Sequence, residues 1–219
     1  MTKLSKILKW IFWIWVGLML LLQTANLVMN GVDRSTLVIA SELLIFLWFG
    51  IVYFFRRPLS VFVKTIIPNL YLRFIIVGYF STVIAELVYM FSIPMHRELA
   101  WDLTLTAPWY LLWMIFWFRL IKKYDYSLTE AFVLAGVHGL IIEGLINASI
   151  LALIGLPLFI ALYGCFFIVP YLLMKNDFNE QQHISLGKKI KLSFIPLIAF
   201  VIDAVWIFSL LKIFSLTLH

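Results

Sequence analysis

This sequence is poor in cysteine and in charged residues. Cys165 is the only cysteine among 219 residues. A single thiol can form no intrachain disulfide, thiolate metal cluster or dithiol redox pair, which excludes thiol oxidoreductase chemistry within the chain. Charged residues make up 13% of the chain, hydrophobic residues make up 64%, and the mean hydropathy is +1.04. Soluble domains are only about half apolar, so the composition excludes a water-soluble protein.

The few charges that are present carry a net charge of +6. Most basic residues lie in short runs between apolar segments, where anionic lipid headgroups are the expected partner. We therefore expect a lipid bilayer and no nucleic acid as the partner of these residues. The longest polar stretch, Lys175 to Lys191, is too short to fold alone. Residues 1–219 are predicted to form one domain.

Long apolar runs fill the rest of the sequence. A membrane-spanning helix needs about 20 mostly apolar residues to cross roughly 30 Å of hydrocarbon. The sequence therefore predicts an all-α polytopic integral membrane protein, a bundle of seven transmembrane helices in the plasma membrane. The predicted spans are 8–29, 36–55, 70–91, 103–121, 131–154, 157–174 and 194–213.

The distribution of Lys and Arg predicts the orientation, because cytoplasmic loops carry an excess of both. With seven spans, fourteen of the 17 basic residues fall on one side of the membrane. The other side holds only Arg34, Arg97 and Lys212. This division places the N-terminus in the cytoplasm and the C-terminus outside.

Local patterns add detail to these spans. Pro108 is predicted to lie in the first turn of its helix, where a missing N–H is harmless, whereas Pro170 should kink the sixth helix. Residues 57–69 are expected to lie along the inner interface of the membrane. Ser127 stands three residues before Glu130, a capping-box pattern that predicts the start of the fifth helix.

Four acids fall inside the predicted spans, where each ionised side chain costs about 2.5 to 3.5 kcal/mol on insertion scales. They are Glu42, Glu86, Glu143 and Asp203. No Lys or Arg lies at a matching depth, so these acids must be protonated, hydrogen-bonded, hydrated or paired with a bound cation. We expect them to line one cavity that opens outward. The alternative is that protonated acids tie neighbouring helices together.

Polar or small residues that share a helical face support the cavity, because positions three or four apart are neighbours. The first span ends with such a face, formed by Gln23, Asn26 and Asn30. Two further spans carry stripes, Tyr79, Thr82, Glu86 and Tyr89 on the third and Gly136, Gly139, Glu143 and Asn147 on the fifth.

The outer loop between the third and fourth spans collects His96, Arg97 and Asp102 above Glu86. It is either a lid over the cavity or a simply solvated loop. His138 is interpreted as a hydrogen-bonded packing histidine, with a functional role as the alternative.

The aromatic ridge of Trp109, Trp113 and Trp117 is interpreted as a packing or lipid-facing surface rather than a cage for a cation.

Three functional hypotheses remain open. The first is a small transporter or carrier for protons or a cationic or polar solute, with Glu143 and Asp203 as binding carboxylates near the midplane and Glu42 and Glu86 as an outer gate. No metal ligands are predicted, and neither a catalytic residue nor a cofactor is assigned. The predicted binding residues are Glu86, Glu143, Asp203, Glu42, Asn147, Asp102, His96, Arg97 and Tyr89.

The second hypothesis is an intramembrane enzyme acting on a lipid or lipid-linked substrate. Glu86 or Glu143 would be its general acid or base, assisted by His96, His138 or Asp102. The third is a non-catalytic subunit that works in an oligomer or with a membrane-protein partner, its acids serving to hold helices together.

Overall fold

The computed structural model describes residues 3–30, 34–92, 99–147 and 156–217. Within these ranges the chain is helical and contains no β-strand, which confirms the all-α class. Two 3₁₀ turns, Lys175–Asp177 and Ile195–Leu197, join helices near the C-terminus. The α-helices are α1 (Lys3–Asn30), α2 (Arg34–Phe54), α3 (Arg56–Ile66), α4 (Leu70–Ser92), α5 (Leu99–Lys123), α6 (Leu128–Asn147), α7 (Leu156–Phe167), α8 (Val169–Met174), α9 (Leu186–Ser193) and α10 (Ile198–Thr217).

Three described helical segments are long and apolar enough to cross a membrane, namely Leu70–Val88, Leu103–Lys123 and Leu186–Leu210. Two bent pairs, α2 with α3 and α7 with α8, raise this number to five if each pair is a single span. The composition and helix lengths are thus those of a membrane protein with three to five candidate spans. The count of seven and the orientation stay predictions.

The segment formed by α7 and α8 lies at the centre of the fold. Every residue from Ile160 to Met174 is buried, as expected for a helix that is apolar on all sides. The segment bends by 49° between Phe167 and Val169. Pro170 accounts for the bend, because it has no N–H to donate to the carbonyl of Phe166 and its ring crowds that turn. The predicted kink is confirmed.

Glycines let α6 lie directly against α7. A Cβ atom at Gly136 would come within 2.1 Å of the Ile160 carbonyl oxygen, and one at Gly139 within 1.9 Å of the Tyr163 ring. Small residues serve this purpose at helix contacts in membranes, where backbones approach closely. The first half of the predicted stripe on the fifth span is therefore a packing surface.

The tryptophan ridge of α5 also packs inside the fold. Trp109, Trp113 and Trp117 are all buried, and Trp113 stacks on Phe167 of α7 at a ring distance of 4.3 Å. The interpretation of this ridge as a packing surface is therefore confirmed, and the lipid-facing alternative is not.

The chain turns by 80° between α2 and α3. The position of residues 57–69 along the inner interface stays a prediction. The predicted start of the fifth span is confirmed. At the start of α6, the Ser127 N–H donates to Glu130 Oε2 at 2.7 Å and the Glu130 N–H donates to Ser127 Oγ at 3.2 Å. This reciprocal pair is the capping box.

The prediction for Pro108 was wrong. The helix begins at Leu99 rather than at Leu103, so Pro108 lies well inside α5. Polar residues near position 102 suggested a loop, but the helix continues through them. Proline in a helix interior withdraws a donor from the carbonyl four residues earlier, which here belongs to Thr104. The indole Nε1–H of Trp206 on α10 donates to this carbonyl at 3.2 Å.

Candidate functional site

Glu42 is a buried acid on α2. Its side chain is 5% exposed on α2 and hydrogen-bonds the side chain of Gln23 on the neighbouring helix α1. Two oxygens at this contact, Glu42 Oε2 and Gln23 Oε1, are buried and have no hydrogen-bond partner in the described parts of the chain. Both oxygens are acceptors, so a proton on Glu42 or a small cation would complete the pair.

Glu86 on α4 is bonded to α5. The buried Tyr110 hydroxyl donates a hydrogen bond to Glu86 Oε1. Thr82, one turn earlier on the predicted stripe, is buried and donates to the carbonyl of Tyr79 in its own helix. The described residues of the stripe on α4 therefore make internal or helix-to-helix bonds.

Asp203 on α10 is bonded to the same turn of α5. Its Oδ1 accepts from the backbone N–H of Trp109 at 3.2 Å. Trp109 directly follows Pro108, where the helix lacks a regular bond, and Trp206 binds the Thr104 carbonyl nearby. Asp203 and Trp206 together hold α10 against the irregular turn of α5.

The bonds described above lead from the three acids to different residues. Glu86 and Asp203 reach consecutive residues of α5, whereas Glu42 reaches α1. Two clefts on the surface of the bundle are lined by neither Glu42, Glu86 nor Asp203.

The other predicted binding residues cannot be placed in this way. Glu143 and Asn147 lie on α6, Tyr89 on α4 and Asp102 on α5, but their side chains are not among those described. His96 and Arg97 lie outside the described residues. The cavity that joins all nine residues stays a prediction.

His138 lies in the aromatic core of the fold. Its Nδ1 accepts a hydrogen bond from the Trp113 indole at 3.1 Å, and its ring lies edge-on to Trp113 and Trp117. Neither ring nitrogen is bonded to a carboxylate in the described structure. This is the hydrogen-bonded packing role expected of it.

Sequence reasoning did not select the ion pairs at the predicted inner end of the bundle. The carboxylate of Asp177 binds Lys64 at 2.8 Å and Arg73 at 2.5 Å. Glu130 binds the buried Lys189 at 2.8 Å. The charges were visible in the sequence, but the partners lie 59 to 113 residues apart, and no local pattern joins them.

The pair of Glu130 and Lys189 is reinforced by its surroundings. Burial by itself raises the pKa of Glu130, but hydrogen bonds from Lys189 and Ser127 outweigh it and hold this pKa below its ordinary value. Nearby, burial and the charge of Glu130 raise the pKa of Tyr126 to about 12. The neutral Tyr126 hydroxyl donates to the Lys189 carbonyl at 3.2 Å. The cluster fixes α9 to the start of α6.

Within the described ranges, no group of three or more His, Cys, Asp and Glu side chains is arranged to hold a metal ion. A comparison with known proteins finds no matching family, no matching curated protein and no matching solved structure.

Proposed function

We propose that this chain is a small multi-pass carrier of the plasma membrane that takes protons or a cationic or polar solute into an acidic, outward-facing cavity. The proposal includes the seven-helix topology, with the N-terminus in the cytoplasm and the C-terminus outside. The observation that carries it is the contact of Glu42 with Gln23, where two buried acceptor oxygens have no donor among the described residues.

The chemistry of this contact favours a reversible cation site. An ionised carboxylate deep in hydrocarbon is unfavourable unless a charge or hydrogen-bond donors compensate it, so Glu42 gains most from a proton or a small cation. Its predicted depth, about a third of the way in from outside, suits an entry position. Glu143 and Asn147 would continue the path toward the midplane on α6.

Proton or cation flux into proteoliposomes tests the proposal. We expect flux from the intact chain, and we expect Glu42→Gln and Glu143→Gln each to abolish it, because an amide cannot exchange a proton or neutralise a cation. Glu180→Gln is the matched control, since Glu180 is exposed in the loop before α9. Unchanged flux in both span variants would remove the proposal.

A second candidate, the non-catalytic subunit, is favoured by a different observation. Glu86 and Asp203 are both engaged in bonds to α5 and serve there as helix ties. On this interpretation the purified chain shows no flux with any cation and gains stability only when a second membrane protein is bound. Measuring flux and thermal stability on the same preparation separates the two candidates.

A further inference from the structure

An apolar groove of about 280 Å³ runs along one side of α3. The wall on α3 is a stripe of four residues, Leu59, Phe62, Val63 and Ile66, at the spacing that places side chains on one helical face. Further walls come from α2, α4 and α8, and every residue that lines the groove is apolar. The volume is near the lower end of the roughly 300 to 1,000 Å³ of small-molecule pockets. A narrow, wholly apolar groove suits a hydrocarbon chain better than a polar solute.

Three charged residues lie close in sequence to residues that line one end of this groove, although none of the three lines it. Lys64 follows Val63 on α3, Arg73 precedes Ile76 by one turn on α4, and Asp177 follows Leu173 by one turn after α8. Asp177 binds both cations, so two positive charges share one carboxylate.

Arg73 is 2% exposed, and its Nε and Nη1 have no hydrogen-bond partner among the described residues. A surplus of positive charge therefore lies near one end of the groove.

The geometry of α3 suits a helix that lies at a membrane surface. The helix lies at 80° to α2, with basic residues Arg57 and Lys64 on the face opposite its apolar stripe. Helices with this pattern lie in the interface of a bilayer, with the apolar face in the acyl region and the basic face at the headgroups. The side chain of Lys64 is 61% exposed and can reach both Asp177 and a headgroup.

We propose that the groove is a binding site for an anionic glycerophospholipid. One acyl chain lies between the apolar stripe of α3 and Ile76 and Phe80 of α4, and the phosphate lies beside Lys64, attracted also by Arg73. The site does not depend on the proposed carrier function, because it shares no residue with the contact of Glu42 and Gln23.

Native mass spectrometry of the full chain in detergent tests the headgroup preference. Dioleoylphosphatidylglycerol is expected to be retained about fivefold more strongly than dioleoylphosphatidylcholine, as one favourable basic contact predicts. Lys64→Gln should remove this preference, whereas Lys122→Gln, at an exposed position on α5, should retain it. Inorganic phosphate should not displace the lipid. Equal retention of the two lipids by the intact chain would overturn the proposal.

The acyl-chain position has its own test. Val77→Phe narrows the groove and should weaken retention of both lipids, whereas Val133→Phe, on an exposed face of α6, should not. Photolabelling of the unaltered chain with a diazirine in the acyl chain of phosphatidylglycerol does not depend on any variant folding. Labels should map to residues 59–67, 76–80 or 169–173. Labels spread evenly over the exposed helices would indicate bulk lipid only and overturn the site.

Discussion

The hydrogen bond from the Trp206 indole to α5 takes the place of the backbone N–H that Pro108 lacks. The energetic coupling between these two residues can be measured. Pro108 withdraws the donor that the Thr104 carbonyl would receive within a regular helix, and the Trp206 indole donates to that carbonyl at 3.2 Å. Trp206→Phe removes the N–H and keeps most of the ring area. A protein hydrogen bond contributes about 0.5 to 1.5 kcal/mol, and bonds between membrane helices average about 0.6 kcal/mol. We expect Trp206→Phe to lower the free energy of unfolding by a value in that range.

The same substitution should matter less when the helix has its own donor. In a Pro108→Ala background the N–H of residue 108 can bond the Thr104 carbonyl, so the two changes should show a coupling of about 0.5 to 1 kcal/mol in a double-mutant cycle. Unfolding in mixed micelles, followed by the tryptophan signal, gives the four free energies. Trp10→Phe combined with Pro108→Ala is the control, because Trp10 is 70% exposed on α1 and should add without coupling. If Trp206→Phe is equally destabilising with proline and with alanine at position 108, the reasoning fails.

Two other substitutions probe the packing of α6 and its first turn. Gly139→Ala should destabilise the fold by about 1 to 3 kcal/mol through overpacking, because its Cβ would overlap the Tyr163 ring. Gly50 has open space around it, so Gly50→Ala is the control and should be neutral or slightly stabilising. Thermal unfolding measures both effects. If both glycines tolerate alanine equally, the contact of α6 with α7 is looser than described. The pKa of Glu130 lies below its ordinary 4.5 in the folded chain. The stabilisation by its pair with Lys189 is therefore complete above pH 4.5. It is lost as the pH falls through the pKa that Glu130 has in the folded chain. Glu130→Gln should lower stability at neutral pH and flatten the acid limb of a stability-against-pH curve; an unchanged acid limb would assign that pH dependence to other groups.

Features governed by local chemistry were predictable from the sequence. The capping box at Ser127 and the bend at Pro170 each depend on a few neighbouring residues, and the structure has both. Pro108 was misplaced because polar residues before it resembled a loop, although an apolar helix can begin several residues earlier when tertiary contacts support it. The Trp206 indole that bonds the Thr104 carbonyl comes from a residue 102 positions further along the chain, beyond the reach of any local pattern.

The acids illustrate the same limit at the candidate site. Helical spacing predicts which residues share a face, but not which helix that face meets. Gly136 and Gly139 were assigned to a cavity-lining stripe, and the glycines meet α7 instead. Gln23 was visible as part of a polar face on the first span, yet only the packing of α1 on α2 brings it to Glu42.

Acids at the helix ends and acids farther along the helices have different kinds of hydrogen-bond donor, and Glu42 fits neither group. Ionic pairs such as Lys189 with Glu130 lie at helix ends, where water or headgroups can solvate part of each charge. Farther along the helices, Glu86 and Asp203 accept from neutral donors, a tyrosine hydroxyl and a backbone N–H, which avoids burying a second charge. Among the described residues, Glu42 has a neutral donor for only one oxygen of its carboxyl, and the nearby Oε1 of Gln23 is an acceptor that cannot donate to the other. A group that serves only to hold helices together would gain from having both oxygens bonded, so the incomplete bonding of Glu42 is what favours a proton or cation at this contact.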